Sequence, residues 1–304
     1  MVPFTLTIGI CTWNRAEKLG VLLQSILNST GWEDLVTEVL IVNNASTDNT
    51  VEVVEAFSNR LPTRLVLENR QGVRFSRETI FRECRTDYML ALDDDCVLLP
   101  NTVMTYVDAI TTKPEIDVFG GPVLLHKAAK FSPQITHLID QAAFALARKN
   151  WFSNREMTED PFIANCVFKM SALPSDLELP NIGHVGSTRS FGEDTHIFSS
   201  LRLRKSKFYW LTDAGCAQFW TQKDYTLKIA LQHAVAKGVA SNRFNGPLKS
   251  KRFPRMPSAA FLVILLGRNS MRAGKNLIRQ HFAIFQFLYS IELVSRYLSG
   301  VFKK

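Results

Sequence analysis

Cysteine is scarce in this sequence, and its spacing forms no pairs. Five cysteines are scattered over 304 residues, none of them in a C-x-x-C motif: Cys11, Cys84, Cys96, Cys166 and Cys216. An odd number of scattered cysteines argues against a disulfide framework and against a zinc site. We therefore expect a protein of a reducing compartment, the cytoplasm.

Long apolar runs are also lacking. The run Ser258–Gly267 has ten residues, whereas a transmembrane helix needs about 20. The start, Met1–Thr5, has no basic segment ahead of an apolar stretch, so we expect no signal peptide. A hydrophobic content of 46% with 21% charged residues excludes wholesale disorder and predicts a globular core.

Acidic residues are almost absent from the C-terminal part of the chain. The net charge is +8, and between Pro247 and Lys304 eleven Lys and Arg residues accompany one acid, Glu292. Basic residues beside apolar helices suit an anionic membrane surface, so we expect peripheral contact with the inner face of the cell membrane. The alternative is a helical appendage that packs on the rest of the protein. Nucleic-acid binding is disfavoured, because the basic residues do not interleave with aromatic ones on a sheet.

The N-terminal half alternates strand-like and helix-like segments. The strand-like segments are Leu6–Cys11, Glu38–Val42, Arg64–Leu67 and Tyr88–Leu92, and the helix-like ones are Ala16–Ser29, Asp48–Ser58 and Ser76–Cys84. Apolar runs separated by helical patterns predict βαβ units and a mainly parallel sheet. Further along, strands are expected at 118–123, 162–168 and 207–211, and a helix is expected to begin within 190–197.

Three consecutive carboxylates, Asp93, Asp94 and Asp95, follow the fourth strand-like segment. Like charges crowded at a strand end raise each other's pKa and cost stability unless a cation lies there. A Mg²⁺ or Mn²⁺ ion carrying a diphosphate would be such a cation, because these ions prefer hard oxygen ligands. A solvated acidic turn is the alternative explanation for the triplet taken alone.

Two more polar loops, Thr12–Arg15 and Asn43–Asp48, follow predicted strands. The carboxyl ends of parallel strands meet along one edge of a sheet and form a ligand crevice there. Ser46 and Asp48 are suited to cap the helix that follows, but capping explains one loop and not three. The three loops together therefore predict a binding site.

Five motifs occur in a fixed order. They are C-T-W-N-R at 11–15, V-N-N-A-S-T-D-N-T at 42–50, N-R-Q-G at 69–72 with Arg77 five residues beyond the glycine, L-D-D-D at 92–95, and G-E-D at 192–194. Together they resemble the inverting glycosyltransferases of family 2, over about residues 5–240. The resemblance implies the GT-A fold, an α/β nucleotide-sugar-binding fold with a mainly parallel central sheet.

The resemblance also implies a site for a nucleotide-diphosphate sugar. In it, Asp93 lies on the ribose side, and Asp93 and Asp95 hold a Mg²⁺ or Mn²⁺ ion that bridges the phosphates and acts as a Lewis acid. The arginines suit phosphate through their fork of donors. The remaining substrate contacts would fall on Thr12, Asn14, Arg15, Asn43, Asp48, Arg77, Asp94 and Asn165.

For the transfer itself, the resemblance makes Asp194 the base that takes the proton of the acceptor hydroxyl. The start of a helix favours the ionised form of a carboxyl group. Glu193 is expected to position the acceptor. Ordinary helix-dipole complementation is the alternative explanation for this acidic pair.

The sequence departs from the family pattern at two sites that affect ligands. Asn43 stands where an Asp commonly contacts the base, and an amide reverses one donor–acceptor relation on a pyrimidine edge. The stretch Gln218–Gln222 contains no His, although many relatives supply a metal-binding His there. His233 lies downstream, but a surface position suits it better. We therefore expect a metal with few protein ligands.

These observations predict a catalytic domain over 1–240 and a helical extension over 241–304. The expected reaction moves one sugar from a nucleotide-diphosphate donor, with UDP- or dTDP-sugars favoured, to a glycan or lipid-linked acceptor in cell-surface polysaccharide or glycolipid assembly. Two alternatives stay open. One is a non-catalytic nucleotide-sugar-binding scaffold of a membrane complex, and the other is a nucleotidyltransferase with a related sheet.

Overall fold

The structure, a computed structural model, describes residues 3–126, 153–175, 177–180 and 192–219. The chain forms two compact units. The first comprises 1–129, 145–186 and 193–220, and the second comprises 130–144, 187–192 and 221–304. The predictions for the 241–304 extension, its membrane contact and His233 lie outside the described residues, and the domain boundary at 240 stays a prediction.

The described residues of the first unit form eleven strands and six α-helices. The strands are β1 Leu6–Thr12, β2 Glu38–Asn43, β3 Thr63–Leu67, β4 Tyr88–Asp93, β5 Cys96–Leu98, β6 Val118–Gly120, β7 Val123–Leu125, β8 Arg155–Glu156, β9 Asn165–Lys169, β10 Phe208–Trp210 and β11 Cys216–Gln218. The helices are α1 Ala16–Leu27, α2 Trp32–Leu35, α3 Thr50–Phe57, α4 Val73–Glu83, α5 Thr102–Thr112 and α6 Glu193–Leu203.

Eight strands form one sheet in the order β3-β2-β1-β4-β9-β6-β10-β8. The strands β3, β2, β1 and β4 are mutually parallel, whereas β9 runs antiparallel to both β4 and β6. A smaller sheet has the order β5-β11-β7. The expected α/β class and the parallel first half are confirmed. The carboxyl ends of the four parallel strands therefore lie along one edge.

Helices cover both faces of the large sheet because its inner strands are apolar on both sides. Val39 and Ile41 of β2 belong to one buried cluster with residues of α1 and α5, whereas Leu40 and Val42 belong to a second cluster with residues of α4 and α6. This alternation is the two-residue period of a strand. Complete burial of one Leu or Ile side chain stabilises the fold by about 1.5–3 kcal/mol.

The structure adds elements that the sequence patterns did not predict. These are α2, α5, β5, β8 and β11. The strand predicted at 162–168 begins only at Asn165, and α4 begins at Val73 instead of Ser76. The short strands of the smaller sheet have three residues each, which is too few for a period to be recognised.

Candidate active site

The acidic turn after β4 is joined to the loop after β1 by hydrogen bonds. Asp94 is 4% exposed, and its carboxylate accepts hydrogen bonds from Thr12 Oγ1 at 2.9 Å and from Arg15 Nη1 at 2.7 Å. The same Nη1 lies 3.3 Å from Asp95 Oδ2. The negative charge of Asp94 and Asp95 raises the pKa of the Arg15 guanidinium. Asp94 therefore faces the protein and fixes the turn, which differs from the substrate contact that we expected of it.

A second arginine joins this turn to the start of α6. The Arg77 side chain is 12% exposed, and its Nη2 lies 3.7 Å from Asp93 Oδ1 and 3.4 Å from Asp194 Oδ1. The arginine belongs to α4, so one guanidinium connects residues about 100 positions apart in the chain. The geometry thus brings the acidic turn and the Glu193–Asp194 pair together, as the sequence motifs predict.

The crowding of carboxylates affects their titration. Burial in this cluster and the charges of Asp95 and Asp194 raise the pKa of Asp93, although Arg77 opposes the shift. Burial and the charge of Asp194 likewise raise the pKa of Glu193, which is 6% exposed. The expectation that like charges at the strand end perturb one another is confirmed for Asp93. Arg15 and Arg77 supply much of the positive charge that offsets these carboxylates.

The oxygen donors at the turn suit a divalent metal that has few protein ligands. Within residues 3–126, 153–175, 177–180 and 192–219, no cluster of three or more His, Cys, Asp or Glu side chains is arranged to hold a metal ion. Asp93 is the most exposed carboxylate of the turn, with 38% of its side chain accessible, whereas Asp94 and Asp95 are 6% and 8% accessible. Mg²⁺ commonly uses one or two carboxylates and completes its shell with phosphate oxygens and water. The donor set therefore fits a metal that arrives with a diphosphate.

The loops after β1 and β2 hold each other in place. Asn14 Oδ1 accepts a hydrogen bond from Thr47 N at 2.7 Å, and Asn14 N donates to Ser46 Oγ at 2.9 Å. Asn43 Oδ1 accepts from Ser46 N at 2.9 Å. Asn14 and Ala45 have positive φ angles of 51° and 56°, a strained conformation that these contacts stabilise. The side-chain oxygens of Asn14 and Asn43 thus shape the crevice.

Asp48 links the starts of two helices by hydrogen bonds. One carboxylate oxygen accepts from Ala16 N, the first residue of α1, at 3.0 Å, and the other accepts from Thr50 N, the first residue of α3, at 3.2 Å. These backbone donors would otherwise lack partners at the helix starts. The predicted capping role is therefore confirmed, and in this structure both oxygens have protein partners.

Asn165 is enclosed at the start of β9. It is 0% exposed, and its Nδ2 donates to Pro122 O at 3.1 Å and to Ala214 O at 2.7 Å. Its Oδ1 accepts from Tyr106 OH at 3.1 Å. A side chain that is buried and hydrogen-bonded at both ends has no group left to bond a sugar hydroxyl. A sugar hydroxyl was one of the partners expected for Asn165. We therefore assign Asn165 to the framework and leave it out of the proposed substrate contacts.

Two residues that shape the crevice were not among the predicted site residues. Asn44 Nδ2 donates to Glu68 O at 3.1 Å and to Arg70 O at 2.7 Å, and its Oδ1 accepts from Gly72 N at 2.8 Å. The Glu68 carboxylate accepts from Arg70 N at 2.9 Å and from Thr79 Oγ1 at 2.7 Å. These bonds, with the Arg70 guanidinium, lower the pKa of Glu68 to about 2. Asn44 belongs to a recognised motif, but nothing in the sequence pointed to Glu68.

Comparison with known proteins agrees with this arrangement. The sequence profile described as "Glycosyl transferase family 2" matches residues 7–178. A mannosyltransferase, PcManGT from Pyrobaculum calidifontis, solved with GDP-Man and Mn²⁺, has a similar structure. Its TM-score is 0.62 at 15% sequence identity, and the match covers 99% of this chain and 88% of that one. No curated protein matches the sequence.

Two further solved structures share the architecture. One is TarS 1–349 of S. aureus, in complex with UDP, which has a TM-score of 0.54 at 13% identity. The match covers 98% of this chain and 90% of the TarS chain. The other is glucosyl-3-phosphoglycerate synthase from Mycobacterium tuberculosis, in complex with phosphoglyceric acid, which has a TM-score of 0.52 at 16% identity. The match covers 81% of this chain and 82% of the synthase chain. Identities this low show the fold alone. The profile match extends over more than half of the chain, and the chain accordingly belongs to glycosyl transferase family 2.

Proposed function

We propose that this glycosyltransferase inverts the anomeric centre while it moves one sugar from a nucleotide-diphosphate donor to a hydroxyl of a glycan or lipid-linked acceptor. The observation that carries the proposal is the position of Arg77 between Asp93 and Asp194. A cation shared by the acidic turn and the candidate base supports a site in which a leaving diphosphate and an attacking hydroxyl meet beside Arg77.

The donor diphosphate is proposed to lie against the acidic turn, where Arg15 and Arg77 can donate to its oxygens. Asp93 and Asp95 would hold Mg²⁺ or Mn²⁺, which when bound neutralises the charge of the departing diphosphate. Solved relatives in fold carry GDP-Man with Mn²⁺ or UDP. For this chain we propose a UDP- or dTDP-sugar as the donor.

Asp194 is the proposed general base. Its side chain is 41% accessible, so an acceptor can approach it, and the Arg77 guanidinium lies near its ionised form. The acceptor oxygen forms a bond to the anomeric carbon while the bond from that carbon to the diphosphate oxygen breaks. The hydroxyl proton passes to the Asp194 carboxylate. Attack from the face opposite the leaving group inverts the configuration.

We also propose that the enzyme works at the cytoplasmic face of the cell membrane, in polysaccharide or glycolipid assembly. The basis is the basic, apolar composition of residues 247–304. In the part of the chain that the structure describes, no helix has the length and apolar character needed to cross a bilayer. A liposome sedimentation assay with anionic and neutral vesicles tests the membrane contact.

A thermal-shift titration tests the donor site. UDP, dTDP, GDP and CMP are each added with and without Mn²⁺ to the wild type and to Asp95→Ala. A ligand at a hundredfold over its Kd stabilises the folded state by about 2.7 kcal/mol. We expect a metal-dependent shift with a nucleoside diphosphate that Asp95→Ala abolishes. If no nucleotide shifts the transition of the wild type, the donor site is wrong and a non-catalytic scaffold becomes the better explanation.

A further inference from the structure

The guanidinium of Arg15 lies against one of the two carboxylates proposed to hold the metal. Its Nη1 is 3.3 Å from Asp95 Oδ2, and the Asp95 side chain is 8% accessible whereas that of Arg15 is 40% accessible. The positive charge of Arg15 is permanent, because the carboxylates of Asp94 and Asp95 raise the pKa of the guanidinium further. Asp95 therefore has a cationic neighbour that the protein itself supplies.

Arg15 is held in this position by Asp94 more firmly than by Asp95. Nη1 is 2.7 Å from Asp94 Oδ1, the length of a charge-assisted hydrogen bond, whereas its 3.3 Å contact with Asp95 is longer than the usual length of about 2.7–2.9 Å. The other oxygen of Asp94 accepts from Thr12 Oγ1 at 2.9 Å, so Asp94 is fixed from two sides. The guanidinium can thus leave Asp95 without breaking its strong bond to Asp94.

A diphosphate offers Arg15 a further partner. Among the residues that the structure describes, no acceptor bonds Nε or Nη2 of Arg15, and only Nη1 is engaged by carboxylates. Guanidinium groups bind phosphate oxygens through such paired donors. A diphosphate that accepts from these nitrogens would draw the charge of Arg15 away from Asp95, while Asp94 continues to hold Nη1.

The charges around the acidic turn disfavour a divalent ion that comes without a diphosphate. Arg15 would repel a free ion at Asp95, and Arg77 Nη2 lies 3.7 Å from Asp93, the other proposed metal ligand. With a guanidinium beside each carboxylate, little negative charge remains to attract a free ion. A diphosphate adds negative charge and gives Arg15 a second partner, so it removes both obstacles.

We propose that Arg15 is a positioning residue that couples metal binding to donor binding, because it lowers the affinity of Asp95 for a free divalent ion and leaves Asp95 when it turns to the donor diphosphate. The inference rests on the proposed function. Two ligands that favour the same arrangement of one side chain strengthen each other's binding by the same factor. The metal alone should therefore bind weakly, and the charge of Arg15 should account for part of the gain that the nucleotide brings.

Electron paramagnetic resonance of free Mn²⁺ measures the affinity of the protein for the metal alone. The proteins are the wild type, Arg15→Gln, Arg15→Lys and Arg85→Gln. Glutamine keeps an N–H for Asp94 without the charge, and lysine restores the charge. Arg85 is an exposed arginine that precedes β4, whereas the acidic turn follows that strand, so Arg85→Gln controls for net charge.

We expect Arg15→Gln to bind nucleotide-free Mn²⁺ at least tenfold more tightly than the wild type does. Arg15→Lys and Arg85→Gln should bind it as the wild type does. Calorimetric titration of UDP and dTDP, each with and without Mn²⁺, measures the coupling, and the gain in nucleotide affinity from Mn²⁺ should be at least tenfold smaller in Arg15→Gln than in the wild type. A purely structural role of Arg15 would not tighten metal binding.

Three outcomes overturn the inference, and they separate it from the proposed function. A wild type whose nucleotide affinity does not depend on Mn²⁺ contradicts it without any variant, even if Arg15→Gln does not fold. A folded Arg15→Gln that binds Mn²⁺ alone as weakly as the wild type shows that Arg15 does not oppose the metal, while the donor site still stands. Failure of the wild type to bind UDP or dTDP in the presence of Mn²⁺ refutes the donor site as well.

Discussion

Arg77 and Asp194 lie 3.4 Å apart, in an ion pair that links α4 to the first turn of α6. Charge-assisted hydrogen bonds are usually 2.7–2.9 Å long, so this pair is close without being tightly bonded. The same guanidinium nitrogen lies 3.7 Å from Asp93. An arginine shared loosely by two carboxylates can turn towards a phosphate without breaking a strong bond.

We expect Arg77→Met to lower the free energy of unfolding by about 3 kcal/mol. The variant leaves Asp93, Asp194 and the buried Glu193 without their nearby cation. Removal of one partner from a fully buried ion pair costs about 3–5 kcal/mol, and the low end applies here because Asp93 and Asp194 are 38% and 41% accessible. Urea denaturation followed by circular dichroism measures the change. Arg85→Met, at an exposed arginine, is the control. Equal midpoints for the two variants would mean that Arg77 does not stabilise this cluster.

Asp194→Asn should abolish turnover while it preserves donor binding. Loss of a general base lowers kcat by about 10²–10⁴-fold, and the amide keeps the shape of the side chain. Donor turnover and the nucleotide Kd are measured side by side. Asp34→Asn makes the same chemical change at an exposed position of α2 and should retain full activity. A variant that retains wild-type kcat would remove Asp194 from the mechanism.

Asn165→Leu should destabilise the fold by about 1–3 kcal/mol without changing nucleotide affinity. The substitution leaves the carbonyl oxygen of Ala214 without its amide donor, whereas Pro122 O keeps its bond from Cys216 N, and one unsatisfied buried group costs about 1–3 kcal/mol. Gly121 adds to the constraint, since a Cβ there would collide with Ala214 O. Calorimetric unfolding and nucleotide titration give the two readouts. A selective loss of sugar-nucleotide affinity at wild-type stability would instead favour a substrate contact.

The stability contributed by Glu68 should depend on pH. Its pKa falls from 4.5 in the unfolded chain to about 2 in the folded one, chiefly through the Arg70 guanidinium. A lowered folded-state pKa gives stability that is complete above about pH 4.5 and is lost as the pH falls towards 2. That shift corresponds to about 3 kcal/mol, but solvent screens the pair because the Arg70 side chain is 54% accessible. Glu68→Gln should therefore be about 2 kcal/mol less stable than the wild type at pH 7. In urea titrations, the difference in the free energy of unfolding between the two proteins should shrink steadily below about pH 4.5. A difference that stays constant with pH would contradict this prediction.

Much of the fold could be predicted because the inner strands carry strong local signals. The apolar runs of β1, β2 and β4 were placed to within a residue, since a strand buried on both faces reads as an apolar segment. The strands of three residues could not be found in this way. Their existence depends on pairing between β5, β7 and β11, which are far apart in the chain.

Within the candidate site, the sequence by itself determined which residue types gather at the strand ends, because the motifs after β1, β2 and β4 are local and the parallel sheet brings their ends together. The tertiary structure alone decided what each side chain contacts. In the folded chain, Asp94 and Asn165 form hydrogen bonds with other protein groups. Asp48 accepts hydrogen bonds at the starts of α1 and α3. Arg77 lies between Asp93 and Asp194. The physical reason is that a hydrogen bond depends on distance and direction between groups remote in sequence, and only the packed fold sets these.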